Sequence, residues 1–149
     1  MLDFFAEQDL SFDQVKALTS GMYAVAKVDG VHDREMSMLR GFYEACTRSG
    51  DPRFEDVLQG EFDANKAAKL FTGNAAKLYV KSLVLLAFAD GHYAKAEDTM
   101  IRTIAQSFGL ASADVDHLVE STKDYLLSSL AHVQNTDALK KVAQRLELK

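Results

Sequence analysis

Residues 83–91 read Leu83-Val84-Leu85-Leu86-Ala87-Phe88-Ala89-Asp90-Gly91, an unbroken apolar run followed by an aspartate and a glycine. A helix that is apolar on every face belongs at the centre of a bundle, because no side of it favours water. The run is far shorter than the roughly 20 residues that cross a bilayer, so it predicts a buried helix and not a membrane span. Asp90-Gly91 stops it, since glycine takes up the left-handed cap with the least strain. Asn74 is placed to cap its start.

The same ending occurs earlier in the chain. Ala26-Lys27-Val28-Asp29-Gly30 matches Ala87-Phe88-Ala89-Asp90-Gly91 at an offset of 61. Downstream, Glu35, Leu39, Phe42, Tyr43 and Cys46 match Glu97, Ile101, Ile104, Ala105 and Phe108 at an offset of 62, so the second loop is longer by one residue. Each half reads as an apolar helix, an Asp-Gly corner, a short loop, a glutamate in the first turn of a second helix, and an apolar stripe. Units that each expose an apolar face pack against one another, and here the expected arrangement is a pseudo-twofold pair. Such packing would bring the two acidic corners near each other.

Helical spacing governs the rest of the chain, and no segment alternates at period two for long. Val15, Leu18, Met22, Val25 and Ala26 recur at three- and four-residue steps over 12–28. Asp33 is a candidate N-cap for the next helix, which Gly50-Asp51-Pro52 ends. The stretch from Phe54 to Gly73 predicts one or two short helices, including Ala64 to Phe71 behind Asp63. A helix carrying Ile101, Ile104, Ala105 and Phe108 ends at Gly109, with Leu110 placed for a Schellman contact. Ser112 opens a long helix and Thr136 a last one. The fold class is all-α, a bundle of seven or eight helices.

Composition fits one domain over residues 1–149. The chain is 48% apolar and 26% charged, which is ordinary globular usage, and Pro52 is its only proline. A net charge of −5 argues against duplex nucleic acid as a partner, because that binding rests on neutralising phosphates. Lys66, Lys69, Lys77 and Lys81 read as a solvated helix face. Cys46, the single cysteine, excludes an intrachain disulfide and a cysteine-based zinc site, and its apolar helical position predicts a buried, inert thiol. The segment Met1 to Glu7 lacks a basic n-region and a long apolar stretch, so it does not read as a signal peptide. The expectation is a soluble cytoplasmic protein that is not transmembrane.

Glu35 and Glu97 are explained locally by the positive end of the helix dipole and by a capping box. Asp29 and Asp90 lie at helix C-termini, where negative charge is disfavoured, so something hydrogen-donating or positive should face them. Two explanations stand. An aspartate before glycine accepts backbone N–H bonds in the turn. Alternatively, a divalent cation lies between the corners, held by Asp29, Glu35, Asp90 and Glu97 with Asp33 assisting. Calcium is the foremost candidate, with zinc or magnesium as alternatives; such hard cations as calcium take six to eight oxygens. Neither loop has EF-hand spacing, so both would have to contribute. His32 and His92 stand beside these acids and read as surface residues, as do His117 and His132.

Nothing in the sequence assembles a catalytic site. Ser112, Asp114, Asp116 and His117 are close in sequence, but Ser112 suits a helix cap better than a nucleophile. Gly73-Asn74-Ala75-Ala76-Lys77 lacks the spacing of a phosphate-binding loop. The chain is read as a binding protein and not an enzyme.

With these residues in view, the chain resembles the TerB family of tellurite-resistance proteins. The resemblance is carried by Ala24-Val25-Ala26-Lys27-Val28-Asp29-Gly30-Val31, by Arg40-Gly41-Phe42, by Ala87 to Gly91, and by Ile101 to Leu110. It covers a core of about 12–110 and leaves 111–149 as a helical extension. It implies an all-helical fold of pseudo-twofold repeats and acidic residues proposed to bind a divalent metal; by position these are Asp29, Glu35, Asp90 and Glu97. It also implies a role in stress response, including tellurite resistance, and a protein partner that is membrane-associated. The departure is the loop His92-Tyr93-Ala94-Lys95-Ala96, which carries fewer acids than that family often has there. The alternative reading is an interaction module without metal, gripping such a partner through its apolar surfaces or its tail.

Overall fold

In a computed structural model the described residues are 10–28, 30, 32–88 and 93–130, without the side chains of 129 and 130. Seven helices and no strand occur among them: α1 (Phe12–Val28), α2 (Asp33–Cys46), α3 (Phe54–Leu58), α4 (Ala64–Leu70), α5 (Asn74–Ala87), α6 (Lys95–Ser107) and α7 (Ser112–Leu130). The helix expected from Thr136 lies outside the described residues.

The apolar run decides the centre. Leu83, Val84, Leu85, Leu86, Ala87 and Phe88 are all buried, so α5 meets protein on every side over its last turns. It packs against α1, α2, α6 and α7. Full burial of a leucine contributes roughly 1.5–3 kcal/mol, so this run is a large local source of stability.

The repeat governs the packing around it. α1 lies against α5; α2 packs on both, and so does α6. α3 packs on α1 and α2, as α7 packs on α5 and α6. Exchanging the two units leaves this pattern unchanged, as a pseudo-twofold arrangement requires. The core agrees residue by residue: Met22, Val25 and Ala26 are buried, and so are their counterparts Leu83, Leu86 and Ala87. Leu39 and Phe42 correspond to Ile101 and Ile104, all buried. The equivalence continues past the second helix, since buried Phe54 in α3 and buried Val115 in α7 again stand 61 apart. The short α4 has no counterpart and bridges α1 and α6.

Helix ends follow local chemistry. Asp63 caps α4 by accepting from the N–H groups of Asn65 and Lys66, at 3.0 and 3.2 Å. α6 closes in a Schellman motif, with Leu110 N–H on Ala105 C=O, Gly109 N–H on Gln106 C=O, and Gly109 at φ +76°. Two caps differ from expectation by one residue. Asp33 is the first residue of α2 and His32 is its extended N-cap, because the Glu35 carboxylate reaches back three positions and sets the frame. Asn74 is likewise inside α5, since Gly73 at φ +61° takes the cap conformation that glycine alone favours. α2 stops at Cys46, ahead of the Gly50-Asp51-Pro52 turn. Cys46 itself is half-buried against the core and not fully enclosed.

Candidate cation site at the Asp-Gly corners

In each unit an Asp-Gly pair lies in the sequence between the first helix and the second. Gly30 sits at φ +78°, the left-handed conformation expected of it, and its N–H reaches Lys27 C=O at 3.3 Å. Asp29 and Asp90 themselves lie outside the described residues, as do Val31 and His92.

The two glutamates are placed alike. Glu35 is 1% exposed and accepts the His32 N–H on Oε1 at 3.4 Å. Glu97 is 3% exposed and accepts the Ala94 N–H on Oε1 at 3.2 Å. Each is the third residue of its helix, so each forms the glutamate half of a capping box and complements the helix dipole. Their near-complete burial was not legible in the sequence. Taking a carboxylate out of water costs several kcal/mol unless charge or hydrogen bonds offset it. One backbone donor at 3.4 Å offsets little of that for Glu35.

Asp33 is exposed in the first turn of α2, and His32 and His117 are exposed as expected. His132 lies outside the described residues. Among the described residues no three His, Cys, Asp or Glu side chains gather closely enough to hold an ion. Lys66, Lys69 and Lys77 are exposed, in keeping with a solvated face, while Lys81 is half-buried. A groove of about 550 Å³ runs beside α1 and is lined by Lys27 at one end of that helix, by Phe62, and by Met100 of α6. Its walls thus include the last turn of α1 and the second turn of α6.

A second set of polar residues starts at Tyr93, which follows the corner of the second unit in the chain. Tyr93 stacks on Phe88, with centroids 4.7 Å apart and planes at 18°. Its hydroxyl donates to Asp98 Oδ1 at 2.9 Å, and burial together with that bond pushes the phenol pKa up. Asp98 Oδ2 accepts from Arg102 Nε at 3.0 Å. Arg102 continues to Ser112 Oγ at 2.7 Å and to Asp116 Oδ1 at 2.7 Å, and these carboxylates hold its pKa above the ordinary value. Ser112 and Asp116, weighed above as members of a reactive cluster, are thereby engaged in joining α6 to α7. The signal for this set was present in the sequence: Arg40 and Arg102 stand 62 apart, and Glu55 and Asp116 stand 61 apart. Arg40 donates to Glu55 Oε1 at 2.8 Å, so each unit ties its second helix to the third with an arginine.

No described helix is long and apolar enough to cross a membrane. The family model described as tellurite resistance protein TerB matches residues 16–120, which takes in α1 through the first half of α7. No curated protein and no solved structure matches the chain.

Proposed function

The chain belongs to the TerB family of tellurite resistance proteins, and on that premise we propose that it is a non-catalytic stress-response binding module that holds a divalent cation between its two corners. The ligands in this reading are Asp29, Glu35, Asp90 and Glu97, with Asp33 assisting. Calcium is the foremost ion, and zinc and magnesium are the alternatives. The protein works in the cytoplasm on this reading.

The observation that carries the proposal is the paired burial of Glu35 and Glu97, at 1% and 3% exposure, each a few residues past an Asp-Gly corner. A capping glutamate ordinarily serves its helix from the surface, and withdrawal from water adds a cost that capping alone does not require. A cation would supply that compensation at Glu35, and Glu97 stands at the equivalent place in the second unit. Neither corner has enough carboxylates to fill a calcium shell, so the ion must draw on both. Lys27 and Met100 lining one groove supports this, because the last turn of α1 and the second turn of α6 then share one surface.

Calorimetry and thermal melting with calcium, magnesium and zinc test the reading. The expected result is a rise in melting temperature with one of them, abolished in the Asp29→Ala, Asp90→Ala double variant. No heat with any of the three would overturn it.

A second reading has its own support. Oε1 of each glutamate already caps its helix, which is what an interaction module without metal would need. Such a module recruits a membrane-associated protein through its apolar surfaces or tail. Truncation after Leu130 removes the tail and spares α7, whose Val115 and Leu126 belong to the core. Loss of vesicle-associated binding in the truncated chain, with no response to cations in either form, would favour this reading.

A further inference from the structure

We propose that the residues flanking the second corner, Phe88 and Tyr93, and α7 form one coupled unit, joined by a chain of bonds that has no counterpart among the described residues of the first unit. The chain starts at the corner itself. Phe88 precedes residues 89–92 and Tyr93 follows them, and the two rings are stacked, so both ends of the corner are pinned together. From the Tyr93 hydroxyl the bonds pass to Asp98, to Arg102, and then to Ser112 and Asp116 at the head of α7. Asp98 and Arg102 are 28% and 29% exposed, so the central ion pair is largely shielded, while Asp116, at 65%, ties it to α7 from the surface; bonds in such a chain strengthen one another.

The first unit provides the contrast. Arg40 stands where Arg102 stands, and it binds Glu55 of α3 as Arg102 binds Asp116 of α7. The residue equivalent to Asp98 is Met36, and an apolar side chain offers Arg40 no carboxylate at that position. Val31 stands near the place of Tyr93 and has no hydroxyl to donate. Arg40 turns instead to Glu44, at 3.9 Å and further from the corner. The tie between second and third helices is therefore common to both units, whereas its extension back toward the corner is found, among the described residues, in the second alone.

The consequence is a coupling that runs in both directions. A change at the Phe88–Tyr93 stack is felt at α7, the helix that leads toward the chain's last residues. By linkage, anything that binds so as to disturb that stack shifts the docking of α7, and the docking of α7 shifts such binding by the same factor. The coupling stands on the contacts just given; its use by a cation rests on the function proposed above.

Backbone amide exchange on the full chain tests it, with the α5 core amides of Leu83 to Leu86 as the reference for global opening. Tyr93→Phe keeps the ring stack and removes only the hydroxyl. It should accelerate exchange at Val115 to Val119 roughly three- to tenfold relative to the reference. Asp116→Asn should do the same to the amides of Ala94 and Asp98. Arg40→Met should loosen α3 and leave His32 and Met36 at wild-type rates. Effects confined to the helix that carries each substitution would overturn the proposal, and so would acceleration at His32 in Arg40→Met. A calcium titration separates this inference from the cation reading. Weaker calcium binding in Asp116→Asn supports both. No binding in any variant, with the exchange coupling intact, removes the cation and leaves the coupling.

Discussion

The hydroxyl of Tyr79 fills the space that a side chain at Gly21 would need. A Cβ built at Gly21 would lie 2.1 Å from Tyr79 Oη and 2.9 Å from its Cζ. The two residues sit on α1 and α5, the central helices of the two units. Tyr79 is fully buried, donates to Ala17 C=O at 2.8 Å, stacks on Phe108 at 4.5 Å and meets Phe71 edge-on at 4.9 Å. With neighbours on several sides it has little freedom to retreat. Glycine in mid-helix lowers helix propensity, yet here it permits a close approach of the two units.

Gly21→Ala should therefore destabilise the protein despite its better helix propensity. Overpacking of a filled core costs about 1–3 kcal/mol, against a propensity gain of roughly 1 kcal/mol. Tyr79→Phe alone should cost about 1 kcal/mol through the lost bond to Ala17. The double variant should be less destabilised than the sum of the two, because removing the hydroxyl relieves the nearer of the two clashes. Urea denaturation of the four proteins measures this, and strict additivity would show that the contact does not limit the packing.

The buried glutamates separate capping from cation binding. Glutamine keeps an acceptor oxygen and can close the same capping box, so Glu35→Gln and Glu97→Gln should each change stability by less than about 1 kcal/mol without added metal. Alanine removes the acceptor, and each Ala variant should lose about 1–2 kcal/mol. If a cation is held at the corners, the glutamine variants should also lose most of the cation-induced rise in melting temperature. A full rise in both glutamine variants would mean that these two carboxylates serve their helices alone.

The arrangement of helices was legible because it rests on strong, redundant signals. The run from Leu83 to Phe88 has no polar face to expose, and the doubled Asp-Gly ending marks two units of one kind. Gly109 followed by Leu110 carries enough local chemistry to place the end of α6. The caps at His32 and Gly73 were less legible, since a cap depends on which residue leaves helical dihedrals, and neighbours compete for that place. The third helix of the repeat escaped notice because Phe54 and Val115, or Glu55 and Asp116, share character without identity. Burial of Glu35 and Glu97 could not be read at all, because the same motif caps helices at the surface.

Stability at low pH should depend on the Arg40–Glu55 pair. The hydrogen bond from Arg40, with smaller contributions from a local backbone bond and nearby positive charge, holds the Glu55 carboxyl below its ordinary value of 4.5. A folded-state pKa that is depressed gives a contribution fully present above the unfolded value and lost as pH falls through the folded one. The stability gap between wild type and Glu55→Gln should therefore be constant above about pH 5 and close as the pH drops below 4.5. Both side chains are substantially exposed, so added salt should narrow the gap at neutral pH. Denaturant titrations of the two proteins across this range check both effects, and a gap that widens in acid would contradict the assignment.

Cys46 should react slowly in the native protein. Burial pushes its thiol above the ordinary value of 9.0, because the thiolate loses water that the half-covered site does not replace. The thiolate is the nucleophile, so alkylation by iodoacetamide near neutral pH should be roughly fivefold or more slower in the folded chain than in denaturant. Here the sign runs opposite to that of Glu55. A raised folded-state pKa in a group that is neutral when protonated stabilises the fold below the unfolded value, and the benefit is lost as pH climbs past it. Wild type should accordingly lose stability relative to Cys46→Ala as the pH is raised beyond about 9. Equal alkylation rates in native and denatured protein would place the thiol in water and remove both expectations together.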